Sequence, residues 1–302
     1  MVREHARAFR DVPGVVLSGI WNRTRSRAET IAAEFGIPLV ANSAAELFER
    51  TGADLAVMAV LEPGINAVAR ECLAFPWTLL MEKPPGIHLA DAREIRGVAA
   101  AAARHVYVAL NRRFLSSTQA VLEDVNQHHG KRFILVQDQQ DLGAAAAMGH
   151  PQALVENWMF ANSIHLVDYL RVFGRGRVRS IIPVHRWNRA EPGIVSAGIE
   201  FESGDRGLYA CVWNGPGPWA VTVATPAKRW ELRPLEQAAY QPRGERRQHP
   251  VDRHAWDEQF KPGFRLQAQH VIDAVRGRSS NVCTLDDAIT TMELIARIYQ
   301  NG

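Results

Sequence analysis

Short apolar runs alternate with segments of helical spacing through the first third of the chain, and this alternation most constrains the fold. The clearest run is Asp54–Val60, DLAVMAV, which is continuously apolar after Asp54, as expected for a strand covered on both faces. Strands that alternate with helices predict a parallel sheet with right-handed crossovers. The predicted strands are 15–21, 54–60, 77–82 and 105–110, and the predicted helices are 2–12, 26–35, 43–50, 65–74 and 89–103.

The pattern changes after about residue 113, where closely spaced strands replace the alternation. A long helix is predicted over 153–173, and a loop rich in Arg, Gln, Pro and His over 235–256. Short connections between the strands indicate antiparallel pairing. These strands are 178–184, 194–201, 207–214, 219–225 and 229–234, and two helices follow at 263–276 and 285–300.

The sequence therefore predicts two domains of different class, which 302 residues are enough to form. Residues 1–113 are predicted to form an α/β domain with a parallel sheet. Residues 114–302 are predicted to form an α+β domain with an open antiparallel sheet. The last helix is a candidate to pack back on the first domain.

Composition excludes several classes of protein. The net charge is only +3 and basic and acidic residues are mixed, whereas nucleic-acid binding needs a clustered basic face. No apolar run is long enough to span a membrane, and the N-terminus lacks the apolar core of a signal peptide. The 3 cysteines are far apart and odd in number, so we expect a cytoplasmic protein in a reducing compartment.

Polar residues follow three of the predicted parallel strands, at the sheet edge where such folds bind ligands. In dinucleotide-binding folds, an acidic residue after the second strand holds the ribose 2′-hydroxyl, and an arginine there suits a 2′-phosphate. Asn22, Arg23 and Thr24 follow the first predicted strand and favour NADP, with NAD as the alternative. The alternative is that these residues form only a polar loop before a helix and contact no cofactor. Leu61 and Glu62 follow the strand 54–60, in a tight turn near the same crevice.

The strand over 77–82 ends in LLMEKPPG, where a carboxylate, an amine and two prolines stop an apolar run. Proline often marks the place where strand pairing stops, and a lysine at such an end is commonly just solvated. The alternative is that Lys83 lies at the rim of the sheet for chemistry.

Three motifs in this order resemble the glucose–fructose oxidoreductase/inositol dehydrogenase (Gfo/Idh/MocA) family. They are Glu82-Lys83-Pro84 after one strand, Asn111-Arg112-Arg113-Phe114 after the next, and Asn162-Ser163-Ile164-His165-Leu166-Val167-Asp168 on a helix. The resemblance covers nearly the whole chain. It implies a Rossmann domain, an open antiparallel sheet, and NAD(P)-linked hydride transfer on a sugar-like or polyol substrate.

The resemblance also implies roles for single residues. The lysine that matches Lys83 reaches the nicotinamide ribose and the substrate, often before a cis proline, and would exchange the substrate proton. His165 is the second catalytic candidate. The alternative is that it is a helix histidine whose hydrogen bonds are satisfied in the domain interface and that has no catalytic role. A metal pair of His165 and Asp168 lacks a convincing third ligand. The expected cofactor contacts are Asn22, Arg23, Thr24, Leu61, Glu62, Glu82, Lys83, Pro84, Asn111 and Arg112, and the expected substrate contacts are Arg113, Trp158, Asn162 and Asp168.

Two departures from the family bear on activity. Members often carry an Asp four residues before the histidine, where this chain has Ala161. Members also begin with a strand and a GxGxxG loop whose amides hold the cofactor pyrophosphate at a helix N-terminus. Counting back from His5, the third glycine falls on Val2, and the first two fall before Met1. We expect that the sequence lacks its natural N-terminus, which would leave two inner strands unpaired; the alternative is a lost redox role.

The predicted function is an NAD(P)-dependent oxidoreductase of a sugar-like alcohol or ketone. The alternative is a non-catalytic binding or scaffold protein on the same fold, which Ala161 and the absent glycine loop favour. Arg243, Arg246 and Arg247 are candidates to close over an anionic substrate, or belong to a loop that is only solvated. As in the family, we expect a dimer or tetramer.

Overall fold

The computed structural model describes residues 1–60 and 64–299, which form two compact units. The first unit consists of Met1–Gly86, Ala90–Asn111 and Trp256–Asp287. The second consists of Ile87–Leu89, Arg112–Ala255 and the residues from Ala288 onward. Each unit therefore includes residues from the C-terminal part of the chain.

Helices and strands alternate through residue 108. The sequence predicts this alternation except for the strand Leu39–Ala41, which lies between two helices predicted in succession. In chain order the helices and strands are α1 (Val2–Arg10), β1 (Gly19–Trp21), α2 (Arg25–Phe35), β2 (Leu39–Ala41), α3 (Ala44–Thr51), β3 (Leu55–Met58), α4 (Ile65–Leu73), β4 (Thr78–Met81), α5 (Leu89–Ala101) and β5 (Val106–Val108).

The rest of the chain begins with a 3-10 turn at Asn111–Phe114. It continues with α6 (Ser116–Asn126), β6 (Phe133–Gln140), α7 (Leu142–Ala147), α8 (Gln152–Val155), α9 (Trp158–Ala161), α10 (Ile164–Phe173), β7 (Val178–His185), β8 (Ile194–Phe201), β9 (Arg206–Trp213), β10 (Ala220–Ala224), β11 (Lys228–Leu232), β12 (Ala238–Pro242), β13 (His249–Val251), α11 (Ala255–Gln259), α12 (Phe264–Val275) and α13 (Leu285–Tyr299). Within the described residues, no helix has both the length and the apolar character needed to cross a membrane.

All five strands of the first unit pair in parallel. β1 pairs with β2, and β3, β4 and β5 form a separate sheet in that order. In the described part of the chain, no strand pairs with the other edge of β1 or of β3. Leu79, Leu80 and Met81 of β4 are fully buried, and burying each such side chain contributes about 1.5–3 kcal/mol. This burial anchors the strand that leads directly into Glu82 and Lys83.

Helix α1 is held from two sides within the first unit. Its Ala6 packs with Ile31 and Phe35 of α2 in one hydrophobic cluster. On another side, the His5 ring lies 4.9 Å from the ring of Phe264 in α12. These contacts fix the position of His5.

The second unit is built on one eight-stranded sheet in the order β13-β12-β11-β10-β6-β9-β8-β7. All its neighbouring strands are antiparallel except β6 and β9, which are parallel. The predicted fold class, a Rossmann-like parallel part followed by a largely antiparallel sheet, is confirmed. Strand β6, at the centre of the sheet, is absent from the sequence-based prediction.

The helix predicted over 153–173 is three short helices, α8, α9 and α10. The second break falls at Asn162, whose φ of −123° and ψ of −46° are not helical. Asn162 therefore lies before α10. The spacing of three residues predicts instead that it shares one helical face with His165 and Asp168.

The loop predicted over 235–256 contains the hairpin of β12 and β13. β13 lies at the edge of the sheet, which is where a strand tolerates a proline such as Pro250. Arg243, Arg246 and Arg247 lie in the connection between the two strands and are exposed.

Candidate active site

The first unit brings Glu82, Lys83 and Asn111 to the carboxyl ends of the adjacent strands β4 and β5. The Lys83–Pro84 peptide bond is cis, as the resemblance implies. Pro84 is buried and Lys83 is half-buried. Asn111 Nδ2 donates to the carbonyl oxygen of Pro262 at 3.0 Å. The strand ends thus hold an amine and an amide at the edge where parallel sheets bind ligands.

His5 holds Glu82, although the sequence gives His5 no part in the site. Its Nε2 donates to Glu82 Oε1 at 2.7 Å, and the two side chains are only 5% and 11% exposed. Burial alone raises the pKa of the Glu82 carboxyl. The hydrogen bond from His5 and the charges of His5 and Lys83 outweigh it, so this pKa lies below its ordinary value of 4.5. The residue before Lys83 is therefore an ionised and anchored carboxylate at neutral pH.

Asn22, Arg23 and Thr24 are exposed after β1. Asn22 Oδ1 accepts from the Thr24 backbone N–H at 2.8 Å, which shapes the turn into α2. A Cβ on Gly64, the N-cap of α4, would lie 4.0 Å from Arg23 Nη2. A guanidinium beside a helix N-terminus suits an anionic group. Leu61 and Glu62, the other two predicted cofactor contacts of this region, lie outside the described residues.

In the second unit, Arg113 and Asp168 form a buried bidentate ion pair. Arg113 Nε and Nη2 donate to the two Asp168 carboxylate oxygens at 2.6 and 2.8 Å. The hydroxyl of Thr291 donates to Asp168 Oδ1 at 2.8 Å. The side chains of Arg113 and Asp168 are only 16% and 4% exposed. This geometry ties the turn that carries Arg113 to α10.

His165 lies in α10 near an aromatic side chain that the sequence analysis does not single out. The Trp219 ring centroid lies 6.5 Å from that of His165 and 4.7 Å from Cζ of Arg112. Trp219 Nε1 donates to the carbonyl oxygen of Gln139 at 2.9 Å, which fixes the indole. Arg112 also pairs with Glu236, with Nη1 3.2 Å from Oε1. His165, Trp219 and Arg112 therefore form one row of side chains.

Asn162 and Trp158 lie on the segment before α10. Asn162 Nδ2 donates to Gln140 Oε1 at 2.8 Å, and Gln140 Nε2 donates to Asp138 Oδ1 at 2.7 Å. Trp158 is buried, and its ring lies 5.0 Å from that of His150. Asn162 is half-buried and therefore more exposed to solvent than Trp158.

Several residues near the candidates are missed from sequence, namely His5, Asp138, Gln140, Trp219 and Glu236. The signal for Trp219 is its place directly after the turn GPGP, where the chain re-enters the sheet. The signal for Asp138 and Gln140 is the alternation in FILVQDQQ, in which they share a face with Ile134 and Val136. In the described part of the chain, no group of three or more His, Cys, Asp or Glu side chains could hold a metal ion.

Residues 1–111 match a family described as the oxidoreductase family with the NAD-binding Rossmann fold, GFO_IDH_MocA. This match covers the first of the three motifs, and together with the relatives described next it confirms the resemblance. Among curated proteins, the chain is similar to the trans-1,2-dihydrobenzene-1,2-diol dehydrogenase of Mus musculus. The identity is 28% over an alignment 309 residues long, which covers 93% of this chain and 85% of that enzyme.

Two solved structures share the fold over almost the whole chain. The dehydrogenase from Chromobacterium violaceum gives a TM-score of 0.82 at 17% identity and covers 99% of this chain and 90% of its own. The aldose-aldose oxidoreductase from Caulobacter crescentus, complexed with glycerol, gives 0.81 at 17% identity, with 99% and 92% covered. At such identity the likeness shows the fold alone.

We expect His5→Phe to lower the free energy of unfolding by about 3 kcal/mol at neutral pH, because the Glu82 carboxylate stays buried without its partner. In the parent chain folding depresses the pKa of Glu82, so its contribution is full above 4.5 and is lost as the pH falls through the depressed pKa. In the variant, burial raises that pKa instead. The loss caused by the substitution should therefore shrink on acidification, which urea unfolding across this pH range measures.

Arg3→Ala is the matched control on the same helix. Arg3 pairs with Glu34 at 2.7 Å, but the two side chains are 56% and 42% exposed. Its loss should cost less than about 1 kcal/mol. A loss in His5→Phe that is the same at every pH would contradict the role given to Glu82.

Proposed function

We propose that the chain transfers a hydride between NAD(P) and a sugar-like or polyol alcohol or ketone, because residues 1–111 match the oxidoreductase family with the NAD-binding Rossmann fold, GFO_IDH_MocA. The observation that carries the proposal is Lys83, directly after β4 at the carboxyl edge of a parallel sheet. The names of two relatives, a dihydrodiol dehydrogenase and an aldose oxidoreductase, support a substrate with neighbouring hydroxyl groups.

The strand ends of the first unit fit a dinucleotide. Arg23, exposed beside the N-cap of α4, would hold a 2′-phosphate, which favours NADP over NAD. Lys83 and Asn111 would contact the nicotinamide ribose. When bound, the nicotinamide accepts or supplies the hydride at its C4 atom.

Lys83 is proposed to exchange the proton of the reacting hydroxyl, with His165 as a second proton-transfer group. In oxidation, the hydroxyl gives up its proton and the carbon gives up a hydride, so a carbonyl remains. The backbone at Lys83 is well anchored, because Glu82 is held by His5 and Pro84 is buried. A side chain positioned in this way typically contributes about 10²–10⁴-fold to the rate.

Trp219, Asn162 and Arg112 are proposed to form the substrate side in the second unit. The indole offers an apolar face beside His165, which suits the C–H face of a ring. Asn162 offers an amide to a hydroxyl group. Arg113 and Asp168 are proposed to hold the turn and α10 together rather than to contact the substrate, because their charged groups pair with each other.

The alternative function is a non-catalytic binding protein on the same fold. The observation that favours it is Ala161, which is buried where family members often carry an acid. Turnover separates the alternatives, because a binding protein would hold the ligands without converting them.

We propose that the protein acts in a reducing cytoplasm as a dimer or tetramer. Cys72, Cys211 and Cys283 form no disulfide, which suits that compartment. Ile182 and Ile194, on the adjacent strands β7 and β8, are more than half exposed, which suits an interface. Sedimentation equilibrium that gives a monomer at micromolar concentration would refute the oligomer.

Fluorescence titration should detect saturable binding of NADPH and, more weakly, of NADH. Arg23→Ala should weaken NADPH binding about tenfold, or about 1.4 kcal/mol, because it removes the charge that faces the 2′-phosphate. NADH affinity should change less than about twofold. Arg27→Ala, an exposed arginine on α2, is the matched control and should affect neither ligand. Equal weakening of both cofactors would remove the argument for NADP.

Lys83→Ala and His165→Ala should each lower kcat, by about 10²–10⁴-fold for Lys83, because the hydroxyl proton then lacks its acceptor. The assay uses NADP+ with trans-1,2-dihydrobenzene-1,2-diol, D-glucose and myo-inositol. Lys131→Ala, an exposed lysine, is the control and should keep the parent rate. Full turnover by both variants would show that neither residue is catalytic.

A further inference from the structure

A line of hydrogen bonds inside the second unit runs from the centre of the eight-stranded sheet to Asn162. Asn162 Nδ2 donates to Gln140 Oε1 at 2.8 Å, and Gln140 Nε2 donates to Asp138 Oδ1 at 2.7 Å. Asp138 and Gln140 are each only 1% exposed. We call Asn162, Gln140 and Asp138 the amide relay.

Asp138 sets the direction of the hydrogen bonds in the amide relay. A carboxylate oxygen only accepts, so Gln140 must present its NH2 group to Asp138 and therefore its oxygen to Asn162. Asn162 must then present its own NH2 group to Gln140. Asn162 Oδ1 is then the acceptor that the relay does not use, and among the described residues no side chain donates to it.

The far side of Asp138 keeps this direction fixed. The Tyr209 hydroxyl donates to Asp138 Oδ2 at 2.7 Å and lies 2.9 Å from the Tyr299 hydroxyl. Burial raises the pKa of the Asp138 carboxyl. A proton taken up would lie on the oxygen that faces Tyr209, because the other oxygen faces an NH2 group that can only donate. The relay therefore has the same direction in both protonation states.

Asn162 is also fixed through its backbone. Its N–H donates to the carbonyl oxygen of Trp158 at 2.8 Å, and its own carbonyl oxygen accepts from the His165 N–H at 3.3 Å. The side-chain oxygen and the His165 backbone are thus tied to the same turn of chain. A fixed acceptor of this kind suits recognition of a ligand hydroxyl.

We propose that Asp138 and Gln140 are positioning residues, which hold Asn162 so that its Oδ1 accepts a hydrogen bond from a second hydroxyl of the substrate. The proposal rests on the proposed function, with a vicinal diol as substrate, and adds the buried residues that position the acceptor for the second hydroxyl. One hydroxyl of the diol reacts, and its neighbour donates to Asn162 Oδ1. A site built to pair with a hydroxyl rejects an analogue that lacks it, because the acceptor is then left unpaired.

The relay is tested first without turnover, by NMR measurement of hydrogen exchange at the Asn162 side-chain amide in the full chain. Gln140→Met keeps the length of the side chain but removes the acceptor, and should speed exchange roughly tenfold. Gln140→Glu keeps an acceptor towards Asn162 and should keep the slow exchange. Lys131→Ala, at an exposed lysine outside the relay, is the control and should keep the exchange rate of the parent. Equal exchange in the parent and in Gln140→Met would overturn the relay.

Recognition is tested with trans-cyclohexane-1,2-diol and cyclohexanol as probes in the presence of NADP+. Gln140→Met should raise KM for the diol about tenfold and leave kcat within about twofold. KM for cyclohexanol should stay unchanged, and Gln140→Glu should behave as the parent. A loss that is equal for both probes would indicate a structural role only and would overturn the recognition of the second hydroxyl.

The failure of this inference differs from the failure of the proposed function. A parent chain that binds NADP(H) and oxidises cyclohexanol as well as the diol keeps the function and refutes the diol class. A parent chain that neither binds NADP(H) nor oxidises either probe refutes the function and the diol class together.

Discussion

The ion pair between Arg113 and Asp168 is the interaction on which the candidate residues of the second unit depend. Taking two charges out of water costs several kcal/mol per ion, so such a pair is stable only where its geometry is good and its remaining groups are satisfied. Here two N–H groups meet two carboxylate oxygens at 2.6 and 2.8 Å, and Thr291 adds a third donor. The pair locks the start of the second unit onto α10, which carries His165. Gln119 adds to this anchor, because its Nε2 donates to the Arg113 carbonyl oxygen at 2.6 Å.

The sequence predicts the parallel strands and the residues that follow them well, because both depend on local pattern. A strand such as β4 is covered on both faces and is therefore apolar after Thr78, and its end is marked by Lys83 and the prolines. What the sequence does not predict is which side chains meet. Glu82 and its partner His5 are 77 residues apart. A histidine in a helix, here between Glu4 and Ala6, carries no sign that a carboxylate will be buried against it.

Strand β6 and the break at Asn162 are missed for one physical reason. In β6 the residues of the inner face are Ile134, Val136, Asp138 and Gln140, so half of them are polar and the apolar alternation is cut short. The buried polar pair is satisfied only because Tyr209 and Asn162 reach it from elsewhere in the fold. The bond to Gln140 favours a bend at Asn162, which interrupts a segment whose spacing is helical. Buried polar groups that are fully paired specify a structure, but their pairing is not visible in a local window.

The same network bears on the acid–base chemistry of the proposed reaction. Family members often place an acid four residues before the histidine, and this chain has the buried Ala161 there. The two buried carboxyl groups of the second unit discussed above are committed elsewhere, since every oxygen of Asp138 and Asp168 already accepts a hydrogen bond from another side chain. Within the second unit, these carboxylates therefore act by fixing the positions of the side chains that donate to them. A chain without the family's acid can in this way keep the chemistry, provided that its buried polar groups hold the remaining donors and acceptors in place.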